Sequence, residues 1–422
     1  MHSVTNAIPT GTIASIPAKA HAHRALICAA LANSPSTILL SRTSKDIDAT
    51  MDSLRGLGAH VVYENKIVTV TPGPASAKGN VVPHESGTTL RLLLPVAASI
   101  CNDVDVDAKG RLPDRPLEPM LGEMKAHGVT FSQDKPPFTM MGRLQGGNFS
   151  MVGDVSSQFF SGLLLAAPQI GLSTITSTTP LQSSDYVTLT TETMRDFGVE
   201  VEHTLPDTNI NEAFTVPFGA SFIGRDNYQI EGDWSNAAIW MVAAGMTGKP
   251  ITITGMNKNS VQADRRIMQV MIDAGCDVVW DGMNVTVTGR ASKPIHADLE
   301  QMPDMLPVMA ALACSISGES SFVKGARLRL KESDRLVAVA NLVRDLGGTV
   351  REEGDDLYII GSGILKGGHG DCVNDHRLVM AGTLMALISE NPVTLKDSEA
   401  ITKSYPDFFE DWNLLGGNAQ PV

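Results

Sequence analysis

Hydrophobic and polar positions repeat along this chain with a period of about seventy residues. Six times, a helix-like stretch ends in a glycine, and a short strand-like run follows it. These glycines are Gly58, Gly128, Gly198, Gly275, Gly347 and Gly416, with gaps of 70, 70, 77, 72 and 69 residues. Glycine is favoured just after a helix because it enters the left-handed region without a Cβ clash. A repeat of this length predicts one supersecondary unit that occurs six times.

Each unit contains two helix-like segments of different character. The first is almost wholly apolar and often rich in alanine, which predicts a helix that is buried on every side. These segments cover residues 25–32, 90–98, 159–167, 237–244, 306–313 and 378–387. The second segment is amphipathic, as in residues 51–55 and 336–343, and should cover an outer face. An aspartate lies nine to fourteen residues before each repeat glycine, where we predict that it caps the second helix. The predicted caps are Asp48, Asp114, Asp185, Asp264, Asp334 and Asp407.

Short runs rich in β-branched residues lie between and after the helices. They cover residues 36–40, 67–71, 251–254, 284–288, 357–360 and 392–395. The order within a unit is helix, strand, helix, strand, strand, which predicts an α/β fold. Six such units divide into three plus three, so we expect two similar domains, each built around its buried helices. The hinge between the halves is predicted near residues 222–230.

Composition narrows the choice of partner and compartment. The chain has 422 residues, 43% of them hydrophobic, and a formal net charge of -13, which argues against a nucleic acid or an anionic membrane as its main partner. Its five cysteines are scattered and show no CxxC spacing, as is typical of reduced cytoplasmic proteins. We find no signal peptide and no apolar run of the ~18–20 residues that a bilayer requires. The sequence therefore predicts a soluble, cytoplasmic protein.

Basic and hydroxyl residues concentrate in the loops that enter the helices. Such residues include Lys19, Arg24, Arg91, Arg111, Arg115, Ser156, Ser157, Ser183, Lys331, Arg335, Arg377 and Lys403. A helix N-terminus offers unpaired N–H groups and the positive end of its dipole, so it binds anions readily. Any one of these residues is explained most simply as a cap or a solvated charge. The whole set, in an acidic chain, favours a site for a polyanionic small molecule in an interdomain cleft.

Two acids stand among these cations. Asp304 begins a buried helix, and Glu332 lies between Lys331 and Arg335. A carboxylate beside cations stays ionised, which suits a proton acceptor, and one beside an anionic substrate can be tuned to donate. Taken alone, Asp304 is better explained as an N-cap than as a base.

Other chemistry has weaker support in the sequence. The group His369, Asp371, Cys372, Asp375 and His376 fits no standard zinc spacing, so we expect no metal site. The chain contains neither GxxxxGK[ST] nor GxGxxG, so no motif supports a nucleotide site.

Six blocks of this sequence resemble the 5-enolpyruvylshikimate-3-phosphate (EPSP) synthase family. The blocks cover residues 19–24, 87–91, 156–158, 331–335, 374–377 and 403–407. The resemblance runs from about residue 10 to the C-terminus, and the blocks at residues 330–335 and 374–377 are highly specific. It implies two similar domains of three βαβαββ units each, over residues 18–228 and over residues 1–17 with 229–422, and an active site in the cleft between them.

The resemblance also implies a reaction. Members of this family move the enolpyruvyl group of phosphoenolpyruvate to the 5-hydroxyl of shikimate 3-phosphate and release phosphate, a step of the shikimate pathway to aromatic amino acids. No metal or organic cofactor is implied, and we expect a monomer without nucleic-acid or membrane partners.

Site residues follow by resemblance from the matched positions. Asp304 would take the proton from the hydroxyl, and Glu332 with Lys19 would protonate the methylene carbon and later remove that proton. The residues implied for shikimate 3-phosphate are Lys19, Arg24, Ser156, Ser157, Gln158, Ser183, Asp304 and Lys331. Those implied for phosphoenolpyruvate are Lys19, Gly87, Arg115, Gln158, Arg335, Arg377 and Lys403.

Two features of the sequence bear on how the family's pattern applies. Ala18 and Ala20 flank Lys19 where the family usually has serines. Loss of the second hydroxyl should weaken binding of shikimate 3-phosphate by about 0.5–1.5 kcal/mol, without loss of the chemistry. Gly87 is the residue that leaves room for the inhibitor glyphosate in this family, so we predict sensitivity to it.

Alternative functions remain open at this stage. A related enolpyruvyl transferase acting on UDP-N-acetylglucosamine usually has a reactive cysteine in the loop that corresponds to residues 107–116, where this chain has none. An RNA 3′-phosphate cyclase would need a nucleotide site and a more basic face. A transferase with an altered acceptor and a non-catalytic anion-binding protein on the same scaffold are the remaining alternatives. Asp304 and Glu332 argue against the last, because binding anions requires neither.

Overall fold

The computed structural model describes residues 1–74, 77–208 and 211–422. These residues form two compact units, which we describe separately. The first unit is Pro17–Ile230, and the second combines Met1–Ile16 with Glu231–Val422.

The helices alternate between buried and outer segments along the chain. In chain order they are α1 (Lys19–Ala30), α2 (Lys45–Gly56), α3 (Gly87–Ile100), α4 (Met120–Ala126), α5 (Ser157–Ile170), α6 (Asp185–Asp196), α7 (Trp234–Thr247), α8 (Ile267–Asp273), α9 (Leu306–Cys314), α10 (Arg335–Asp345), α11 (His376–Ala386) and α12 (Phe408–Leu414). The odd-numbered helices contain the six predicted apolar segments, except that the segments of α1 and α11 extend up to two residues past the C-terminal ends of those helices, and most of their residues are buried. The prediction of buried helices is therefore confirmed.

The strands occupy the predicted β-rich runs and add one strand before each buried helix. They are β1 (His2–Val4), β2 (Gly11–Ala14), β3 (Ser36–Leu39), β4 (His60–Glu64), β5 (Ile67–Thr71), β6 (Lys78–Val81), β7 (Asp103–Val106), β8 (Thr130–Phe131), β9 (Phe138–Met141), β10 (Asn148–Met151), β11 (Ser173–Ser177), β12 (Glu202–Thr204), β13 (Ala213–Val216), β14 (Tyr228–Gln229), β15 (Ile251–Thr254), β16 (Asp277–Asp281), β17 (Asn284–Thr288), β18 (His296–Asp298), β19 (Gly318–Val323), β20 (Thr349–Glu353), β21 (Asp356–Gly361), β22 (Gly368–Asp371), β23 (Val393–Lys396) and β24 (Ala419–Pro421).

The described residues form six four-stranded sheets that share one arrangement, with one parallel and two antiparallel strand pairs each. In the sheet β6-β7-β9-β8, for example, β6 and β7 run parallel with Lys78 opposite Asp103, and the other two pairs are antiparallel. The buried helix α3 makes the crossover between the parallel strands, which is the βαβαββ unit that the resemblance implied. The first unit also contains β14-β3-β5-β4 and β10-β11-β13-β12.

The N-terminal strands complete two sheets of the second unit. In β22-β23-β1-β24, Ser3 lies opposite Thr394 on one side and Gln420 on the other. In β16-β17-β15-β2, strand β2 runs parallel to β15 with Ile13 opposite Ile253. The third sheet is β18-β19-β21-β20. Residues distant in the sequence therefore complete two of the three sheets of this unit.

Each unit has its own hydrophobic core. Leucine, alanine and phenylalanine side chains of α3 and α5 lie at the centre of the first. The second is centred on α7, α9 and α11 and buries Trp234, Trp240 and Trp412. Because the inner helices carry few polar side chains beyond their first turns, functional groups on them concentrate at their N-terminal ends.

The prediction of six aspartate caps is largely wrong. Only Asp334 caps its helix as predicted, where its side chain accepts a hydrogen bond from the backbone N–H of Val337. Asp407 is the N-cap of α12 without such a bond, and Ser44 rather than Asp48 caps α2. Asp185 is the first residue of α6, while Asp114 and Asp264 lie inside 3-10 turns. Spacing from a glycine located the helices but not their first residues.

None of the five cysteines, all of which lie in the described residues, forms a disulfide, and all five are buried. Burial raises the pKa of the Cys276 and Cys314 thiols to about 11 and about 12. Within residues 1–74, 77–208 and 211–422, no helix is long and apolar enough to cross a membrane.

Close packing of α3 against α5 generates a prediction about stability. A Cβ at Gly162 would lie 2.5 Å from the carbonyl oxygen of Arg91, a backbone atom that cannot move alone. We expect Gly162→Ala to lower the free energy of unfolding by about 1–3 kcal/mol, because strain exceeds the gain in helix propensity. Urea unfolding measures this change.

The matched control is Gly122→Ala in α4. There the new Cβ would meet only the flexible side chain of Glu118, at 3.1 Å. This variant should be neutral or slightly stabilising. Equal stability of the two variants would contradict the packing argument.

Candidate active site

The first unit joins Lys19 to the start of α3 through Asp46. Lys19 is the first residue of α1, and its Nζ lies 2.7 Å from the Asp46 carboxylate of α2. The backbone carbonyl of Asp46 accepts a hydrogen bond from the Thr89 hydroxyl at 3.3 Å. Thr89 lies in the first turn of α3, two residues after Gly87. Lys19 and Gly87, far apart in sequence, are thus tied to the same group of residues.

Arg24 is almost wholly buried and holds α1 against α5 and α6. Its Nε donates to the Thr190 hydroxyl at 2.7 Å, and its Nη2 donates to Ser161 and to the carbonyl of Tyr186. Its Nη1 donates to the carbonyl of Ala20 at 2.7 Å. Burial lowers the pKa of Arg24 to about 10, so the side chain stays positive at neutral pH. Among the residues that the structure describes, protein acceptors occupy four of its five N–H groups, and the second N–H on Nη1 has no such acceptor.

The start of α3 collects several of the implied phosphoenolpyruvate residues. Arg91 donates to the Gln158 side-chain oxygen at 3.1 Å, and the Gln158 amide donates to the Thr88 hydroxyl at 2.8 Å. A Cβ at Gly87 would lie 2.6 Å from Nη1 of Arg115. Gly87, Gln158 and Arg115 are therefore neighbours, and Gly87 is where a side chain would displace the Arg115 guanidinium.

The three implied serines also lie close together. Ser156 caps α5 by accepting from the N–H of Gln158 at 3.3 Å, and Ser157 begins the helix. The backbone N–H of Gln182 donates to the carbonyl of Gly153 at 3.0 Å, which holds the loop of Ser183 against the loop before α5. Ser183 has a φ of +54°, a conformation that few non-glycine residues adopt. These hydroxyls near a helix start are suited to hold a phosphate group.

The second unit gathers its charges around Arg335. This side chain is 2% exposed and contacts three carboxylates. Its Nε donates to Asp375 at 2.8 Å, its Nη1 to Asp304 at 2.6 Å, and its Nη2 to Glu332 at 2.7 Å. The Ser333 hydroxyl donates to Asp375 at 2.9 Å. We call Arg335 with Asp304, Glu332 and Asp375 the Arg335 cluster.

Asp304 is not an N-cap, contrary to the simplest interpretation of the sequence. It lies inside the 3-10 turn Pro303–Met305, and the N-cap of α9 is Met305. Its carboxylate instead contacts Nζ of Lys331 at 3.1 Å in addition to Arg335. Burial alone would raise the pKa of Asp304, but Lys331, Arg335 and Arg377 together hold it below its usual range. Asp304 is therefore an ionised carboxylate that retains partial exposure.

Two further cations of the second unit are anchored through backbone carbonyls. Arg377 donates from Nη1 to the carbonyl of Ser235 at 3.1 Å and is buried. Lys403 donates from Nζ to the carbonyl of Asn374 at 2.8 Å, just before the N-cap of α11. Burial is the main cause that lowers the pKa of Lys331. These contacts bring Asp304, Lys331, Glu332, Arg335, Arg377 and Lys403 to the entrances of α9, α10 and α11.

The acids and the cysteine of the group considered for metal binding have other roles. Asp371 pairs with Lys396 at 2.8 Å, and Asp375 belongs to the Arg335 cluster. Burial raises the pKa of the Cys372 thiol well above its usual range, which disfavours the thiolate that metals bind. Within the described residues, no three potential ligands are grouped to hold a metal ion.

Sequence reasoning missed the supporting acids of both units. Asp46 orients Lys19, and Asp375 is fully buried against Arg335. Asp375 lies in a block that carried the resemblance, so its position marked it as important without giving its partner. Asp46 lies in no such block, and nothing in the sequence indicated its contact with Lys19.

Loss of Asp375 should destabilise the second unit. In Asp375→Asn the buried Arg335 keeps its charge but loses its best partner, which costs about 3 kcal/mol of unfolding free energy at pH 7. Burial alone would raise the pKa of Asp375, but the positive charge of Arg335 outweighs the effect of burial. The folded-state pKa therefore lies below the unfolded value. The stabilisation is therefore complete above about pH 4 and is lost as pH falls through the folded pKa. Urea unfolding at several pH values measures both effects.

Asp371→Asn in the same segment is the control. Asp371 is 42% exposed beside Lys396 at 59%, so little stability should be lost. If Asp371→Asn lowered the free energy of unfolding as much as Asp375→Asn, burial of the paired cation would not determine the cost of losing its carboxylate.

Comparisons with known proteins agree with this arrangement. The family model described as EPSP synthase (3-phosphoshikimate 1-carboxyvinyltransferase) matches residues 7–412. Curated proteins named 3-phosphoshikimate 1-carboxyvinyltransferase are similar to this chain. The protein of Clostridium kluyveri is 36% identical over 413 residues, covering 96% of this chain and 95% of its own. That of Methanocorpusculum labreanum is 34% identical over 416 residues, covering 97% of each.

A solved structure of EPSP synthase from Acinetobacter baumannii has the same fold. It aligns with a TM-score of 0.80 at 23% identity, over 100% of this chain and 99% of its own. The family match extends over nearly the whole chain, and relatives above 30% identity cover it almost completely. This chain belongs to the EPSP synthase family.

Proposed function

We propose that this protein catalyses the reaction of its family. It transfers the enolpyruvyl group of phosphoenolpyruvate to the 5-hydroxyl of shikimate 3-phosphate and releases phosphate. The new C–O bond forms at C2 of phosphoenolpyruvate while the methylene carbon gains a proton. Elimination then breaks the C–O bond to phosphate and removes a proton from the same carbon. The protein is a transferase of the shikimate pathway, in which the product leads to aromatic amino acids.

The observation that carries the proposal is the Arg335 cluster beside Lys331. Asp304 and Glu332 remain partly exposed, at 21% and 24%, while the Arg335 that holds them is buried. Anion binding would require the cations alone, whereas the proposed chemistry also needs carboxylates within reach of a substrate. An ionised Asp304 suits the removal of the hydroxyl proton. Because its position is fixed before the substrate arrives, little reorganisation is needed during the reaction.

We assign the remaining steps by position and charge. Glu332, with Lys19, protonates the methylene carbon of phosphoenolpyruvate and later takes the proton back. Arg115, Gln158 and Gly87 in the first unit bind phosphoenolpyruvate, as do Arg335, Arg377 and Lys403 in the second. Their positive charge stabilises the phosphate as it leaves.

Shikimate 3-phosphate is assigned to the hydroxyl-rich loops and to Lys331. Ser156, Ser157 and Ser183 hold its phosphate at the start of α5. Arg24 offers its remaining Nη1 hydrogen and otherwise fixes the backbone of Ala20. We also propose that the two units are the domains predicted over residues 18–228 and over 1–17 with 229–422. The five cysteines, which are buried and form no disulfide in the described residues, support a reducing compartment, and we place the protein in the cytoplasm.

Phosphate release tests the proposal directly. The purified protein is incubated with phosphoenolpyruvate and shikimate 3-phosphate, together and singly, in metal-free buffer. We expect release only when both are present. Release from phosphoenolpyruvate alone would indicate a hydrolase, and turnover with a different hydroxyl acceptor would indicate the alternative of an altered acceptor.

Substitution of the two acids should separate catalysis from binding. We expect Asp304→Ala and Glu332→Ala each to lower kcat by about 10²–10⁴-fold, because each removes a proton-transfer group. Binding of shikimate 3-phosphate, measured by calorimetry, should persist because the cations remain. The control is Asp298→Asn, which changes an exposed carboxylate that pairs with Lys324.

Two outcomes would change this assignment. Near-parental turnover in both alanine variants would show that neither acid transfers a proton. A parent protein that binds both anions without turnover would be a non-catalytic binding protein.

Gly87 generates a prediction about inhibition. We expect glyphosate to inhibit the parent protein and Gly87→Ala to resist it by about tenfold or more, because the new methyl displaces the Arg115 guanidinium. The KM for phosphoenolpyruvate should rise in the same variant. Initial rates at several glyphosate concentrations measure both effects, with Gly122→Ala as the control. Parent activity that millimolar glyphosate leaves unchanged would refute the prediction.

A further inference from the structure

Asp264 is a buried carboxylate to which the proposed reaction assigns no role. It lies in the 3-10 turn Ala263–Arg266 before α8 and is 1% exposed. Its Oδ2 accepts a hydrogen bond from the hydroxyl of Ser235. Its Oδ1 has no hydrogen-bond partner among the residues that the structure describes. A buried carboxylate with one unsatisfied oxygen is costly, so this group needs an explanation beyond packing.

Ser235 connects Asp264 to Arg377. The serine lies in the first turn of α7, and its backbone carbonyl accepts the hydrogen bond from Nη1 of Arg377 at 3.1 Å. The side chain of Ser235 faces Asp264 while its backbone faces Arg377. Displacement of this turn would therefore move the anchor of a guanidinium to which we assign phosphoenolpyruvate.

The same turn of α7 also supports Lys403. The Asn236 side-chain amide donates to the Ser404 hydroxyl at 3.2 Å, and Ser404 follows Lys403 directly. Asp233 caps the helix by accepting from the N–H of Asn236 at 2.8 Å. The first turn of α7 thus supports both Arg377 and Lys403. Asp264, in the turn before α8, contacts the same turn of α7 through Ser235.

Three charged groups act on Asp264 from neighbouring elements. Asp304 faces it from the 3-10 turn before α9, Asp233 from the start of α7, and Arg377 from α11. Burial, followed by repulsion from Asp304, raises the pKa of Asp264 to about 6, although Arg377 and Ser235 oppose the rise. An anion that binds to Arg377 would reduce the favourable field of that cation and add negative charge nearby. Both effects favour the protonated carboxyl.

We propose that Asp264 is a positioning residue for Arg377, acting through Ser235, and that it takes up a proton when an anion binds to Arg377. The structural basis is the buried chain from Asp264 through Ser235 to Arg377, together with the unsatisfied Oδ1. Proton uptake neutralises Asp264. A carboxylate ligand on Arg377 then adds its negative charge beside Asp304 without a third negative charge on Asp264. The proton comes from solvent and forms an O–H bond on the Asp264 carboxylate, and no other bond changes. This inference rests on the proposed function only in assigning the anion to Arg377.

Isothermal titration with sodium sulfate tests the proton uptake without turnover. Sulfate does not change its protonation between pH 6 and 9, so a difference in heat between buffers of unequal ionisation enthalpy reports on the protein alone. At pH 6.5 we expect an uptake of roughly 0.3–0.6 proton per sulfate bound to the parent protein. At pH 8.5 the uptake should vanish, because Asp264 then stays ionised.

Three variants identify the group that titrates. Asp264→Asn keeps the acceptor for Ser235 but cannot ionise, so it should bind sulfate without proton uptake. Arg377→Gln should lose the uptake as well. Asp273→Asn, an exposed acid of α8 that accepts from Gln269, should retain the parental value. Uptake that persists in folded Asp264→Asn, or that is absent from the parent at pH 6.5, would overturn the inference.

Ser235→Ala tests the positioning role separately. The backbone carbonyl that holds Arg377 remains, but its link to Asp264 is lost. We expect the KM for phosphoenolpyruvate to rise about three- to tenfold, with the KM for shikimate 3-phosphate and kcat within about twofold. An equal change in both KM values would indicate a general structural defect and overturn the positioning role. If the parent shows proton uptake but no phosphate release, the proposed function fails while this inference stands.

Discussion

The buried guanidinium of Arg335 is the charge on which the chemistry of the second unit depends. An ion buried to this degree must be paired, and the three carboxylates around it come from the entrances to α9, α10 and α11. Asp375 is wholly buried and fixes the arginine, while Asp304 and Glu332 extend toward solvent from the same guanidinium. One requirement, the neutralisation of a buried cation, therefore positions both proposed proton-transfer groups.

The repeated unit explains why charged residues gather at helix entrances. The inner helices are apolar along nearly their whole length, so polar side chains are tolerated mainly in the first turn and the loop before it. The first unit follows the same rule with different residues, because Lys19, Gly87 and Ser157 are the first residues of α1, α3 and α5. Other residues hold the cations in place, since Asp46 pairs with Lys19 and the backbone carbonyl of Ser235 accepts a hydrogen bond from Arg377.

The resemblance to the family gave the roles of the site residues, which the hydrophobic pattern alone would not have given. It did not identify the residues that hold those side chains in place. Asp304 was best explained as a cap when its sequence was considered alone, since a polar residue before an apolar run is the usual start of a helix. Its contacts with Lys331 and Arg335 involve residues 27 and 31 positions later, which periodicity does not reveal. Asp264 was likewise predicted to be a cap, yet its side chain accepts a bond from Ser235 of another helix.

The sequence by itself determined the six units, the buried helices and most strands, because these depend on local periodicity and on glycine at helix ends. It also determined the family, since whole blocks of residues such as 330–335 and 374–377 were matched. Only the tertiary structure decided which residues cap the helices and which acids pair with which cations. Apart from Glu332 with Arg335, the ion pairs of the site join positions tens of residues apart, and burial sets their strength, so no local pattern contains them.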